Sequence, residues 1–441
     1  MVAGPLAAAS CGDDPPAAMA EAGAEVPADA MPATPPDAAV DATAFDAAEA
    51  GARPLVNTCG DAGALPETWL ADPRLCLSVF ANQVVNGRQL AFAPNGDLFA
   101  LANTQIIALF DTNKDLVIAD DERSLFAASV DGAPAFTHSV VFSPDGAFLY
   151  ASNLTTVYRW AYKAGDHVAT GAPEVVVSNM PTDGHDTRTL VFDAQHRLYV
   201  NVGSAGDFDY TPQSLALRSM VRRFTLPATL PAGGLDYAEG EVFASGLRNE
   251  VGLTFDSKGR MWGVENGVDA LGEDNPAEEL NRLDSPTRFF GHPNCYSEYR
   301  MDGGLGAGSQ WAIPAFDNTR TDAWCRDPKN VQRPAAAMPA HWAPLGVTEY
   351  TGGSLPWQGD LIIASHGSFF RTIPVGRVLA RAHLVGDTVQ SITPIVGHGV
   401  DGGLEEGTWD ARPVDVRMGP EGALYFTENF SHRILRLGFR P

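Results

Sequence analysis

The chain has 441 residues, with 54 acids against 30 bases and a formal charge of −24. That balance excludes the basic footprint a nucleic-acid backbone requires and disfavours docking on an anionic membrane surface. No run of 18 apolar residues is present, so the sequence offers no transmembrane helix, while the 45% hydrophobic content suffices for a sizeable core.

Residues 1–11, MVAGPLAAASC, read as a truncated or atypical lipoprotein signal. Small apolar residues and Ala-Ala-Ser precede Cys11, the candidate for lipidation. A basic residue ahead of the apolar stretch is missing, and the stretch is short. The alternative is a disordered N-terminus with an incidental cysteine. Residues 12–54 are rich in Ala, Pro and Asp. They carry too little apolar surface to offset their ordering entropy, and prolines and like charges extend them. They read as a disordered tether, with the folded domain at 55–441.

Within that domain one pattern recurs. The copies are LAFAPNGDLFALAN (90–103), VVFSPDGAFLYASN (140–153), LVFDAQHRLYVNVGS (190–204), LTFDSKGRMWGVEN (253–266), VRMGPEGALYFTEN (416–429) and, more divergent, VTEYTGGSLPWQGDLIIASHGS (347–368). Each is an alternating strand, a turn that asks for positive φ, and a second alternating strand. Six units of roughly 64 residues match the length of a four-stranded propeller blade with generous loops. The expected fold is therefore all-β, a six-bladed β-propeller with a disordered N-terminal tether. A pair of β-sandwiches would not explain one hairpin recurring six times.

Two segments stand apart from the repeat. DTNKDLVIADDE (111–122) puts Asp111, Asn113, Asp115 and Glu122 at positions 1, 3, 5 and 12 of a calcium loop, although Leu116 stands where glycine is wanted. A hairpin turn is the competing reading. PAEELNRL (276–283) has the strongest helical pattern in the domain. Of the five cysteines, Cys59, Cys76, Cys295 and Cys325 lie in the domain, and no CxxC pair suggests zinc. Cys59–Cys76 with Cys295–Cys325 is the simplest pairing by proximity, among three possible connectivities. Four buried free thiols are the alternative. Disulfides imply an oxidising compartment, the periplasm or cell envelope.

The chemistry-bearing residues fall in a set of ordered motifs. They are GHDTRTLVF…LYVNVGS (184–204), SGLRNEVGLTF (245–255), VENGVD…EELNRL (264–283), FFGHPNCY (289–296), PAHWAPLG (339–346), SHGSFFR (365–371) and RPVDVRMGPEGALYFTEN (412–429). By these motifs the chain resembles the glucose/sorbosone dehydrogenases, closest to the sorbosone-type branch, over about residues 80–440. Those are propellers that use pyrroloquinoline quinone (PQQ) and calcium. The resemblance implies an oxidoreductase that takes the hydroxyl proton of a sugar or polyol while hydride moves to the quinone. Electrons then pass to a periplasmic acceptor. No glycine-rich dinucleotide cradle is present, which fits a quinone better than NAD.

The resemblance assigns roles to residues. His185 matches the catalytic base, with Asp186 as its orienting neighbour. A base titrating near neutrality suits the task. Arg248 matches the arginine beside the quinone, with Asn249 next to it, where a cationic donor stabilises developing charge. Arg188 matches the sorbosone-type variant of the histidine motif. Gly267 and Val268 map to calcium-ligating carbonyls and Glu278 to the ligating acid, with Glu279 and Asp269 as second candidates. Arg371 and Arg412 are candidates for the PQQ carboxylates, and His341 and His366 fall at family positions. Against each stands a bland reading: a packing histidine, a blade-edge ion pair, a solvated acidic face. Substrate choice is expected from loops such as 297–333. Two other functional classes remain open, a cofactor-less propeller that serves as a binding scaffold and a metal-dependent lactonase. The latter would want several convergent carboxylates.

Overall fold

The computed structural model describes residues 57–59, 65, 68–284, 286–313, 320–369, 371–398 and 411–441. The expected anchor at 1–11 and tether at 12–54 lie outside the described residues. Each copy of the sequence repeat is the first hairpin of one sheet. Leu90–Phe92 pairs with Leu98–Ala102, Phe136–Phe142 with Phe148–Asn153, and Leu190–Phe192 with Arg197–Val202. Glu250–Phe255 pairs with Met261–Glu265, Pro344–Glu349 with Leu361–Ser365, and Pro413–Met418 with Leu424–Glu428. The turns use one device throughout. Gly96, Gly146, Gly259, Gly359 and Gly422 take φ between 69° and 95° at the same position, and His196 takes 60° in the third copy. Glycine enters that region without steric cost.

A third and fourth strand extend every hairpin outward, as Gln105–Leu109 and Arg123–Ala127 do in the first sheet. The first strands of the six sheets neighbour one another in chain order, and Pro413–Met418 meets Leu90–Phe92. The ring is therefore closed, a six-bladed β-propeller as the repeat predicts, and the pair of sandwiches is excluded. The last blade takes its outer strand from the start of the domain: Leu75–Ala81 pairs with Arg433–Phe439. The Thr58 N–H donates to the Phe439 carbonyl at 2.9 Å, and Phe439 N–H returns a bond to Thr58 Oγ1 at 3.0 Å. Between blades the outward faces interlock. Phe99, Phe126, Phe136, Trp160 and Tyr162 fill the gap between the first two, and Tyr350, Trp357, Phe426 and Phe439 belong to the cluster between the last two. Each such side chain contributes about 1.5–3 kcal/mol on burial.

One local expectation is corrected. The helical pattern at 276–283 is a strand, Glu278–Arg282, paired to Met261–Glu265 on one side and Ala336–Met338 on the other. Leu280 enters an apolar cluster between blades, while Glu279 and Asn281 point the other way, as strand alternation demands. Tertiary pairing here overrides helix propensity. The segment 111–122, expected as a possible calcium loop, connects Gln105–Leu109 to Arg123–Ala127. Its acids already accept from its own backbone: Asp111 from the N–H groups of Asp115 and Leu116, and Glu122 from those of Thr112, Asn113 and Ala119. The Thr112 hydroxyl and these amides hold Glu122 down to about 2. Leu116 takes φ 66° at the position where a calcium loop has glycine. Among the described residues no group of three or more His, Cys, Asp or Glu side chains is disposed to bind a metal.

Both disulfides are those of the nearest pairing, Cys59–Cys76 and Cys295–Cys325. The first fastens the segment that closes the ring. The second pins the long excursion 283–335 that leaves the fourth blade, against a small hairpin of Cys295–Ser297 and Gln310–Ala312. Thiol titration of the chain folded under oxidising conditions and then denatured without reductant is expected to find one reactive thiol, Cys11. Three or five would contradict the pairing.

Candidate functional site

In an antiparallel hairpin the start of the first strand and the end of the second share one edge. Glu250 lies opposite Glu265, Pro344 opposite Ser365, and Pro413 opposite Glu428. His185–Arg188, Arg248–Asn249, His341 and Arg412 all stand just before first strands, and the loops 203–219, 266–277 and 366–377 follow second strands. One end of the ring therefore collects these candidate residues.

His185 is fixed by a single peptide. The Ser204 carbonyl accepts from the His185 backbone N–H at 3.0 Å and from Nδ1 at 2.8 Å. An imidazole nitrogen facing a carbonyl must carry hydrogen, so Nε2 is the acceptor nitrogen of the neutral ring. Glycines permit the approach. A Cβ on Gly184, at φ 112°, would fall 2.4 Å from the Ser204 carbonyl oxygen, and one on Gly203 would fall 3.0 Å from His185 Cβ. Burial, and then the charge of Arg248, pushes the His185 pKa down to about 3. The sequence expectation of a base near neutrality is revised: the imidazole is neutral at ordinary pH and gains basicity only where negative charge develops beside it. Asp186 does not orient the ring, because Ser204 occupies Nδ1. Arg188 is a clamp within the fold. It is fully buried, and its guanidinium bonds the carbonyls of Leu154, His185, Thr187 and Pro181. It thereby holds the histidine segment.

The backbone of Ser204 also reaches the second residue. Its N–H donates to the Arg248 carbonyl at 2.6 Å. The Arg248 guanidinium contacts Asp207 at 2.7 Å, Asp269 at 3.1 Å and the Asn266 carbonyl at 3.2 Å. Asn249 Oδ1 accepts from the Thr187 hydroxyl at 3.3 Å, which ties the arginine segment to the histidine segment. An outer brace, Arg218, forks onto Asp209 at 2.9 and 3.1 Å and also reaches Asp183.

Beneath Arg248 lies a buried carboxyl cluster that the sequence reading missed. Asn281 Nδ2 meets Glu250, Glu265 and Glu279 at 3.1, 3.0 and 3.2 Å, and Glu265 also accepts from the Arg248 backbone N–H. Burial and mutual repulsion push the Glu265 carboxyl well up, and burial raises those of Glu250 and Glu279. Such groups share protons rather than ionise together. Glu278 points elsewhere: its two oxygens accept from Gly267 N–H at 2.7 Å and Ala343 N–H at 3.1 Å, and burial raises it to about 7. Gly267, Val268, Glu279 and Arg248 line one cavity of about 20 Å³.

Arg371 reaches Glu273 at 3.3 Å and Asp274 at 3.6 Å, and His341 bonds the Gly272 carbonyl at 2.8 Å, so both fasten the 266–277 loop. His366 bonds Asn429 at 2.9 Å, and burial lowers it to about 3. Arg412 has a different environment. Its guanidinium contacts the carbonyls of His366, Gly367 and Ser368 and lies 4.5 Å from the Phe369 ring centre. No carboxylate among the described residues lies within ion-pair distance of it. Burial, then neighbouring Arg377, lowers it to about 10. In a strongly acidic chain, that is a place for an anionic group.

Comparison with known proteins gives a coherent picture. The family described as TrAA12-like matches residues 71–437. A pyrroloquinoline quinone-dependent pyranose dehydrogenase from Coprinopsis cinerea is 28% identical over 301 residues, covering 60% of this chain and 40% of that protein. A pyrroloquinoline quinone-dependent sugar dehydrogenase from Hypocrea jecorina (strain QM6a) is 32% identical over 260 residues, covering 53% of this chain and 58% of that one. The chain thus spans about half the length of these curated relatives. The calcium structure of the Trichoderma reesei family AA12 enzyme superposes with a TM-score of 0.74 at 26% identity, over 85% of this chain and 98% of that one.

The burial of His185 has a measurable consequence. With its pKa lowered from 6.5 to about 3, the folded chain binds fewer protons there than the unfolded chain between those values. Stability from this site is therefore full above the unfolded pKa and is lost as pH falls below it. Between pH 7 and pH 5 wild type is expected to lose about 2 kcal/mol more than His185→Asn in urea unfolding. Parallel pH curves for the two would show that the imidazole is not held neutral.

Proposed function

We propose, on the premise that this chain belongs to the TrAA12-like family, that it is a quinoprotein that oxidises a hydroxyl group of a sugar or related polyol. The observation that carries the reading is the Ser204 backbone, whose carbonyl and N–H tie a buried neutral imidazole with a defined acceptor nitrogen to the segment of a buried arginine. When bound, PQQ would supply the hydride acceptor, and calcium would supply a Lewis acid against it.

The residues present fit that pair. Arg412 offers a cation with no carboxylate partner among the described residues, suited to a PQQ carboxylate. Arg248 offers donors where charge develops on the quinone oxygens. Gly267 and Val268 with Glu278 would provide oxygen ligands of the type calcium takes, a set that needs only one acidic side chain. Arg371, His341 and His366 hold the loops that frame the site. His185 Nε2 accepts the substrate's hydroxyl proton, Ser204 keeps the ring in the required tautomer, and Asp207 balances the charge of Arg248 as the imidazolium forms. Burial at this end of the ring keeps water from competing for that proton.

The two disulfides support folding in an oxidising compartment. With the expected Cys11 anchor, they support a periplasmic or cell-envelope enzyme that passes electrons to an acceptor there. Titrating the purified chain with PQQ and Ca²⁺, then assaying sugars with an artificial electron acceptor, tests the reading. Binding with sugar-dependent turnover is expected. His185→Asn should lower kcat by about 10²–10⁴-fold and Arg248→Leu by about 10²–10³-fold, with both variants folded. No PQQ binding would favour instead a propeller that acts as a binding scaffold.

A further inference from the structure

His292 has no role in the arrangement described so far, yet its position is unusual. The ring is buried, with 4% of its surface exposed. Among the described residues neither Nδ1 nor Nε2 has a hydrogen-bond partner. It lines the same cavity of about 20 Å³ as Arg248, Gly267 and Val268, and it lies close enough to Arg248 and His185 for their charges to act on it. Its backbone is held firmly: N–H donates to the Gly246 carbonyl at 2.9 Å, and its carbonyl accepts from Gln213 Nε2 at 3.0 Å. Burial keeps the ring neutral, at about 3.

A buried imidazole with both nitrogens unpaired costs the fold free energy. Packing does not require it, since phenylalanine has a similar shape and no polar atoms to satisfy. Other polar side chains around Arg248 each have at least one partner, His185 with Ser204, Asn249 with Thr187 and Glu265 with Asn281, although single atoms of Arg248, Glu250 and Asn281 are also unpaired; His292 alone among these has a side chain with no partner at all. The cavity admits an atom or two, the size of one hydroxyl or carbonyl oxygen.

We infer that His292 is a ligand-binding residue, whose ring forms a hydrogen bond with an oxygen of the redox pair placed beside Arg248. A neutral imidazole donates from one nitrogen and accepts at the other. A sugar hydroxyl can use either, and a quinone carbonyl can use the donor. The inference rests on the quinoprotein reading, and the two sources of that oxygen are separated by experiment.

The test compares wild type with His292→Phe and His292→Gln by three measurements. These are the Tm of the apo-protein, the Kd for PQQ from titration of apo-protein with Ca²⁺ present, and KM for the preferred sugar. Loss of an unpaired polar group predicts that His292→Phe melts at the wild-type temperature or above. If the oxygen is the quinone's, Kd for PQQ rises about ten- to a hundredfold; if it is the sugar's, KM rises by that factor with Kd unchanged. His292→Gln should recover part of the loss in either case. Both constants within twofold of wild type in His292→Phe overturn the inference. So does a loss that accompanies a lower Tm and is not recovered in His292→Gln. Failure of wild type to bind PQQ would instead overturn the quinoprotein reading.

Discussion

The site depends on the backbone of one residue, Ser204. Ser204 accepts from His185 through its carbonyl and donates to Arg248 through its N–H, so the two peptide groups that meet at its Cα tie the histidine and arginine segments together. The contact requires backbone approaching backbone at Gly184 and side chains crowding Gly203, where a Cβ would meet its neighbours at 3.0 Å or less. Arg188 then locks the histidine segment from behind through four carbonyls, and Glu265 locks the arginine segment through its N–H. The propeller contributes the frame. Ring closure brings first-strand entrances from different blades to one edge, and no single blade could assemble the pair.

The electrostatics follow from burial in an acidic chain. His185, His292 and His366 are held neutral, while Glu278 and the Glu250–Glu265–Glu279 group are pushed toward protonation. Removing charge from both signs leaves the arginines as the fixed charges of the site. Arg248 is balanced by Asp207 and Asp269 and Arg371 by Glu273 and Asp274. Among the described residues, Arg412 meets carbonyls, the His366 ring and the face of Phe369, and no carboxylate. The net effect is a low-dielectric end of the ring with cationic donors already oriented, an arrangement that lowers the cost of developing negative charge.

Much of this was legible in the sequence because it was periodic or ordered. The six turns carried the propeller, since strand alternation and a residue in positive φ are local signals. Cysteine spacing carried both disulfides. His185 and Arg248 were found through their motifs. What was not legible is tertiary. EELNR has helical spacing and becomes a strand, because Glu279 and Asn281 join a carboxyl cluster whose other members come from two other strands. An arginine in a catalytic-looking motif, Arg188, is engaged by four carbonyls that no pattern could reveal. The calcium-like spacing at 111–122 is satisfied by its own amides. His292 stood in a quoted motif, FFGHPNCY, without a signal that both its nitrogens would be buried unpaired.

The central claim is the tautomer and charge of one imidazole. It is read most directly by ¹⁵N NMR of the histidine-labelled chain, with the His185 resonances assigned by their loss in His185→Asn. The account predicts a neutral ring at pH 6, protonated on Nδ1 and bare on Nε2. An imidazolium at that pH, or a proton found on Nε2 with Nδ1 bare, would contradict it.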